Sequence, residues 1–321
     1  MKRILNLLSL FLLVSCTQVE ATESPVVINT KVAPTSTSLP PTSPPPTPSA
    51  SVTPPVATPD VTCDPFSEDF CITEGHFILQ RPIHPPGNDS VDTTYGYGST
   101  ANGAREPHHG VEFPNRFGMP AYAAGDGVVI FAGPDEEALF SPWPNFYGNL
   151  VVIQHEGGLY TLYAHLSRID VRAVQDIRVG DKIGEVGQTG VATGSHLHFE
   201  VRRGDVHDYF GTLNPELWLV PKNDESHLPL GALTLSVLDG DHHLQYAEFT
   251  ASYHLDPSQP MVKMYYGVAY AGEMATGEEN AALADLLMGA YRLALKYNGQ
   301  IYERWVEVKS GKLTQVVFVV K

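Results

Sequence analysis

The sequence predicts an all-β chain, with a glycine-rich β-sheet domain over residues 63–221 followed by a small β-sandwich over residues 228–321. Three observations predict it. From Gly75 to Pro221, short apolar runs recur between glycines, as in Gly127-Val128-Val129-Ile130, Leu150-Val151-Val152-Ile153 and Gly158 through Leu166. Runs of that length and spacing, with few helical periods among them, suit strands. A polar break from Pro221 to Pro229 then separates a second alternating stretch, Ala232 to Leu238. Near the end, Tyr291, Leu293, Leu295 and Tyr297 alternate with Ala290, Arg292, Ala294 and Lys296, the period of a half-buried strand. The pair Asn298-Gly299 marks a hairpin turn after it, because both central positions of such a turn need positive φ. Val306, Val308 and the run Val316 to Val320 supply further strands. One stretch breaks the pattern: Glu278 to Leu287 reads as a short helix.

A length of 321 residues with 43% apolar side chains suffices for two packed cores and a tail. The net charge of -16 excludes nucleic acid as a partner, since phosphate binding requires clustered Lys and Arg. At the start, Lys2 and Arg3 precede the apolar run Ile4 to Val14, which ends in Leu13-Val14-Ser15-Cys16. That run is too short to span a bilayer core of ~30 Å as a helix. It resembles a bacterial lipobox, which implies a signal peptide over residues 1–16, diacylglycerol on Cys16 and a lipid-anchored place in the extracytoplasmic cell envelope. Residues 17–62 read as a tether. Ten prolines lie between Ala33 and Asp60, a composition that favours extended polyproline II, on the order of 85 Å long at ~3.1 Å per residue. Export also opens an oxidising compartment, where Cys63 and Cys71 are expected to form a small disulfide loop. A metal clip at these cysteines would need more ligands at short spacing than distant His76 offers.

Three clusters carry chemistry. In Gly194-Ser195-His196-Leu197-His198-Phe199-Glu200, the period of 2 places His196 and His198 on one strand face, their Cα atoms roughly 6 to 7 Å apart, while Leu197 and Phe199 face a core. One imidazole can ligate a metal while the other stands beside it. In His108-His109-Gly110-Val111-Glu112, an imidazole and a carboxylate lie four residues apart. A straight strand would hold them ~13 Å apart, too far to share one ion, so the backbone must bend, and Gly110 marks the expected kink. His109 has the opposite parity and reads as a packing or surface residue. His165 ends the core-like run Tyr160-Thr161-Leu162-Tyr163-Ala164; alone it would be a hydrogen-bonded core histidine, and beside the other clusters it becomes a polar group of a cleft.

Taken in order, His108-His109-Gly110-Val111-Glu112, Tyr163-Ala164-His165-Leu166 and His196-Leu197-His198 resemble the lysostaphin-type, LytM-like zinc endopeptidases, whose domain carries His-x-Gly-x-Asp, Tyr-x-His-Leu and His-x-His segments. The resemblance covers about Phe77 to Leu219 and includes the glycine turns of Gly118 to Gly127 and Val179 to Gly190. It implies a LytM-like barrel or sandwich, a Zn2+ held by His108, Glu112 and His198, catalytic His165 and His196, and peptidoglycan peptides as substrate. Three protein ligands would leave one coordination position open, as catalytic zinc requires. No His-Glu-x-x-His helix is present, so the base is expected to be a histidine. One position departs from the family: its carboxylate ligand is Asp, whereas Glu112 is one methylene longer. The alternative reading is a catalytically inactive LytM-like regulatory or wall-binding module, which usually shows as missing ligands. The last domain resembles, more weakly, transthyretin-like or carboxypeptidase-regulatory-like sandwiches. His242 and His243, beside Asp239 and Asp241, read as a solvated turn.

Overall fold

The computed structural model describes residues 63–100, 105–271 and 279–321. The signal peptide, Cys16 and the tether lie outside the described residues. Residues 63 onward fall within one compact unit, Pro59–Lys321.

The site is carried by a seven-stranded sheet. Its strands are β2 (Val111–Pro114), β4 (Gly127–Pro134), β5 (Asn149–Gln154), β6 (Leu159–Ala164), β8 (Gln175–Ile177), β10 (His196–Arg203) and β11 (Thr212–Leu213), in the order β11-β10-β6-β5-β4-β8, with β2 also on β10. A three-stranded sheet of β3 (Pro120–Tyr122), β9 (Lys182–Val186) and β7 (Leu166–Ile169) lies among the same core residues, which include Val111, Phe113, Tyr163, Leu197 and Phe199. Leu197 and Phe199 are fully buried, as the alternation in β10 requires.

Two four-stranded sheets form the C-terminal sandwich. One has the order β14 (Met261–Ala269), β13 (Ala247–His254), β16 (Gly289–Tyr297), β17 (Gln300–Val308); the other runs β1 (Cys71–Thr73), β18 (Leu313–Val319), β12 (Gly231–Leu238), β15 (Ala281–Leu286). Their shared core includes Leu233, Leu235, Phe249, Tyr291, Leu293 and Phe318. Tyr291, Leu293 and Leu295 are buried while Arg292 and Lys296 are exposed, and the turn at Asn298-Gly299 has φ of 47° and 81°. β1 belongs to residues that precede the strands of the site-bearing sheet, so that sheet is inserted between two strands of the sandwich. β18 occupies the middle of that sheet, antiparallel to β1 and parallel to β12. Cys63 and Cys71 are joined by a disulfide, and Cys71 is itself the first residue of β1.

The expected helix at Glu278 to Leu287 is not formed: Ala281–Leu286 is a strand, paired antiparallel to β12. Backbone pairing and burial against the sandwich core override the helical preference of its alanines and leucines, which is a weak local term. Asp239 accepts backbone hydrogen bonds from Asp241 and His243, a solvated turn as the sequence suggests.

Candidate metal centre

β10 lies between β2 and β6, and its register decides which side chains meet. His198 is paired across the ladder with Glu112 on one side and with Ala164 on the other. Glu112 is therefore a direct cross-strand neighbour of His198, and His165 follows at the end of β6. His108 stands just before β2. The distances close on one point: 2.9 Å from His108 Nε2 to Glu112 Oε1, 3.1 Å from Glu112 Oε1 to His198 Nδ1 and 3.2 Å from His198 Nδ1 to His108 Nε2. These three residues form the one group of potential metal ligands among the described residues.

Gly110 is required here for a reason other than the kink. Its φ is not positive; a Cβ at this position would lie 2.5 Å from Phe199 O and 2.9 Å from the His198 ring. The bend lets His108 curl back, and the missing side chain lets β10 and the His198 imidazole approach.

The remaining hydrogen bonds fix the protons. His108 Nδ1–H donates to Tyr95 O at 2.9 Å and His198 Nε2–H donates to Glu200 at 3.0 Å. Each neutral ring then turns its lone pair toward the other and toward a carboxylate oxygen. Three acceptors converging at about 3 Å repel one another unless a cation sits between them. The second Glu112 oxygen, Oε2, lies 2.9 Å from His196 Nε2 yet is buried with no aligned donor. A tetrahedral ion with bonds of about 2.0–2.1 Å spaces its ligands ~3.3 Å apart, close to what these residues already hold. Electrostatics say the same. Burial alone would lower the His198 imidazole, but the carboxylates of Glu112 and Glu200 override it and push it up to about 10. Burial alone would raise the Glu112 carboxyl, yet His198 and the neighbouring imidazoles hold it well below the usual range. The residues fit a divalent cation.

Two further imidazoles flank this point. His165 Nδ1 donates to Thr189 O at 2.9 Å and His196 Nδ1 donates to Gly194 O at 2.9 Å, which leaves Nε2 of each ring to carry the lone pair. Their ring centroids are 4.9 Å apart. Burial, followed by the charges of His198 and His196, pushes His165 down to about 3. His165 has φ of 60°, a left-handed conformation that few non-glycine residues adopt and that is often found at functional sites. All five predicted side chains line one cavity of about 350 Å³. Tyr95, Arg105 and Pro107 contribute one wall of it. His109 is buried and stacked on Tyr209 at 3.8 Å, a packing residue as its parity indicates.

Sequence reasoning missed what stands behind His198. Glu200 accepts from His198, from the Tyr147 hydroxyl at 2.6 Å and from Arg202 Nε at 2.8 Å. Arg202 also donates to Val206 O and Phe140 O. A carboxylate behind a ligating imidazole fixes its tautomer and raises its basicity. The signal was in plain view: Glu200 and Arg202 share the parity of His196 and His198.

Two imidazoles and a carboxylate converging on one point, with two more imidazoles beside it in an open cavity, define a site of the metallopeptidase type. Residues 106–209 match the profile of peptidase family M23. It is 42% identical over 95 residues to the peptidoglycan DD-endopeptidase ShyA of Vibrio cholerae, covering 30% of this chain and 20% of that protein. The DD-carboxypeptidase/endopeptidase Mpg of Neisseria meningitidis is similar to the same degree, 42% over 95 residues with 30% and 20% covered. The chain thus spans about a fifth of the length of these curated relatives. Among solved structures, the catalytic domain of the antimicrobial peptidase lysostaphin from Staphylococcus simulans is 28% identical, with a TM-score of 0.33 over 39% of this chain and 88% of that one.

Proposed function

We propose that this chain is a zinc-dependent endopeptidase that hydrolyses peptide bonds of peptidoglycan cross-links or stems, held at the cell envelope by a lipid on Cys16. One observation carries the reading: the lone pairs of His108 Nε2 and His198 Nδ1 and the Glu112 carboxylate point at one position beside the lone pairs of His165 and His196. Zinc bound there supplies Lewis acidity toward the scissile carbonyl and toward water. The chain's own residues do the rest. Tyr95 O and Glu200 hold the ligand tautomers. Nε2 of His165 or His196 accepts the proton of the attacking water and returns it to the leaving amine, a transfer that requires a positioned imidazole within hydrogen-bond reach. The longer Glu112 places Oε1 within 2.9 and 3.1 Å of both ligand nitrogens, so the extra methylene is accommodated by the strand register.

The test is direct. Purified protein is expected to bind about one zinc, to release new amino termini from isolated peptidoglycan and to lose that activity to a chelator. A full zinc complement with no products from any wall preparation would overturn the enzymatic reading and favour a wall-binding module instead. Lipid attachment is checked separately, by incorporation of labelled fatty acid that Cys16→Ala abolishes.

A further inference from the structure

Both ligands of the 108–112 segment lean on a strap, residues 88–98, that crosses in front of them. Asp92 N–H donates to Glu112 O at 2.9 Å, and Gly98 N–H donates to His108 O at 2.8 Å. The Tyr95 ring stacks on His108 at 4.2 Å, and Tyr95 O takes the Nδ1 proton that turns Nε2 toward the metal position. The strap has no apolar core of its own. It is held from outside: Asn115 and Pro114 hold Asn88 next to β2, and further holds reach it from the C-terminal half of the chain.

Asp285, on β15 of the sandwich, makes a two-pronged ion pair with Arg81 at 2.8 Å on both oxygens and accepts from Lys222 N–H at 2.8 Å. Arg81 donates in turn to Asp89 O at 2.7 Å. Lys222 Nζ meets Asp89 Oδ1 at 2.6 Å and Ser90 Oγ at 2.9 Å. Arg81 is buried and Asp285 three-quarters covered, so this network is less screened than a surface pair. Asp285 has φ of 53°, a conformation that Asp and Asn tolerate better than most residues, and that conformation aims its carboxylate at Arg81. At the other end of the strap, Tyr270 of the sandwich packs on Gly98, where any Cβ would collide with its ring, and sits edge-on to Tyr97 at 5.2 Å. The Tyr97 hydroxyl donates to Thr212 O at 2.9 Å, beside β10.

We infer that the C-terminal sandwich is part of the metal centre's scaffold, with Asp285, Arg81 and Lys222 acting as positioning residues that clamp the strap and thereby orient His108 and Glu112. None of the three touches the metal position; they act through Asp89, Tyr95 and the two backbone bonds. The inference rests on the zinc reading for one of its two readouts.

Asp285→Asn tests it, since Asn keeps the shape and the left-handed backbone while removing the charge that holds Arg81. Zinc affinity is measured by chelator competition, with hydrogen exchange at the amides of Asp92 and Gly98 and a thermal melt to verify folding. The expected result is a folded protein whose zinc affinity falls about three- to tenfold, a reach typical of residues one shell beyond the ligands' own partners, with faster exchange at both amides. Glu303→Gln, on the far sheet of the sandwich, is expected to change neither. If Asp285→Asn does not fold, Lys222→Gln removes only the pair with Asp89 and Ser90 and is read the same way. Folded variants with wild-type zinc affinity and wild-type exchange would overturn the inference. If the wild-type chain binds no zinc, the metal reading fails by itself, and unchanged exchange at Asp92 and Gly98 would still refute the clamp.

Discussion

β10 and β16 are both interior strands with the same alternation, and they spend their polar faces in opposite ways. In β16 the polar row, Arg292 and Lys296, faces water, and Arg292 pairs with Glu303 while both remain almost half exposed. On β10 the row His198, Glu200, Arg202 is almost wholly buried. A buried charge costs several kcal/mol unless it is paired and hydrogen-bonded. β10 tolerates this buried polar row because each group satisfies the next, from Glu112 through His198 and Glu200 to Arg202 and then two backbone carbonyls. The difference teaches that alternation alone sets which face is polar; the partners waiting on neighbouring elements decide whether that face becomes surface or site.

The comparison is broken most severely at Arg202. Arg202→Met leaves Glu200 buried beside one imidazole and one hydroxyl, and is expected to cost about 3–5 kcal/mol in urea unfolding, whereas Arg292→Ala should leave the midpoint unshifted. An Arg202→Met chain as stable as wild type would erase the distinction between the two strands. Next comes Glu200→Gln, which keeps an acceptor for His198 but removes the charge. Chelator competition is expected to show zinc affinity about 10- to 100-fold weaker, and undiminished affinity would mean that His198 does not need its carboxylate.

A smaller effect sharpens the comparison at a third carboxylate, Glu216, which accepts from Ala284 N–H at 3.2 Å where the site-bearing half meets the sandwich. Burial, reinforced by the Asp285 carboxylate and only partly opposed by the Ala284 N–H and by Arg81, pushes this carboxyl up from 4.5 to about 7. The folded state therefore prefers the protonated form. Its stabilising contribution is complete below about pH 4.5 and is lost as pH rises through 7. Glu216→Gln should flatten that decline between pH 5 and 8 in thermal melts; an unchanged pH profile would show that Glu216 is already ionised at neutral pH. Buried Glu200 behaves in the opposite sense, held low by Arg202 and His198 against its own burial.

Much of this was legible in the sequence because a period of 2 is a strong local signal. It placed Leu197 and Phe199 in the core and brought His196 and His198 to one face, and the Asn298-Gly299 turn needed no tertiary information. The five site residues could be proposed from three motifs in order. What stayed hidden depends on distant partners. Nothing local tells Ala281–Leu286 that β12 awaits it, and Glu200 reads as an ordinary polar strand residue until Tyr147 and Arg202 surround it. Gly110 was singled out for flexibility, whereas its constraint is the nearness of a strand almost ninety residues later. The strap's anchors, Arg81, Lys222 and Asp285, are spread so widely along the chain that no motif could link them.

The position of β18 has a consequence for how the molecule is made. Because it lies between β1 and β12, that sheet cannot close until Leu313–Val319 has left the ribosome, and the contacts it closes have high sequence separation, which slows folding. A nascent chain cut before Leu313 would leave two unpaired strand edges facing an empty slot. Pairing of Leu313–Val319 on both of its edges is thus the step that joins β1 to β12 in one sheet.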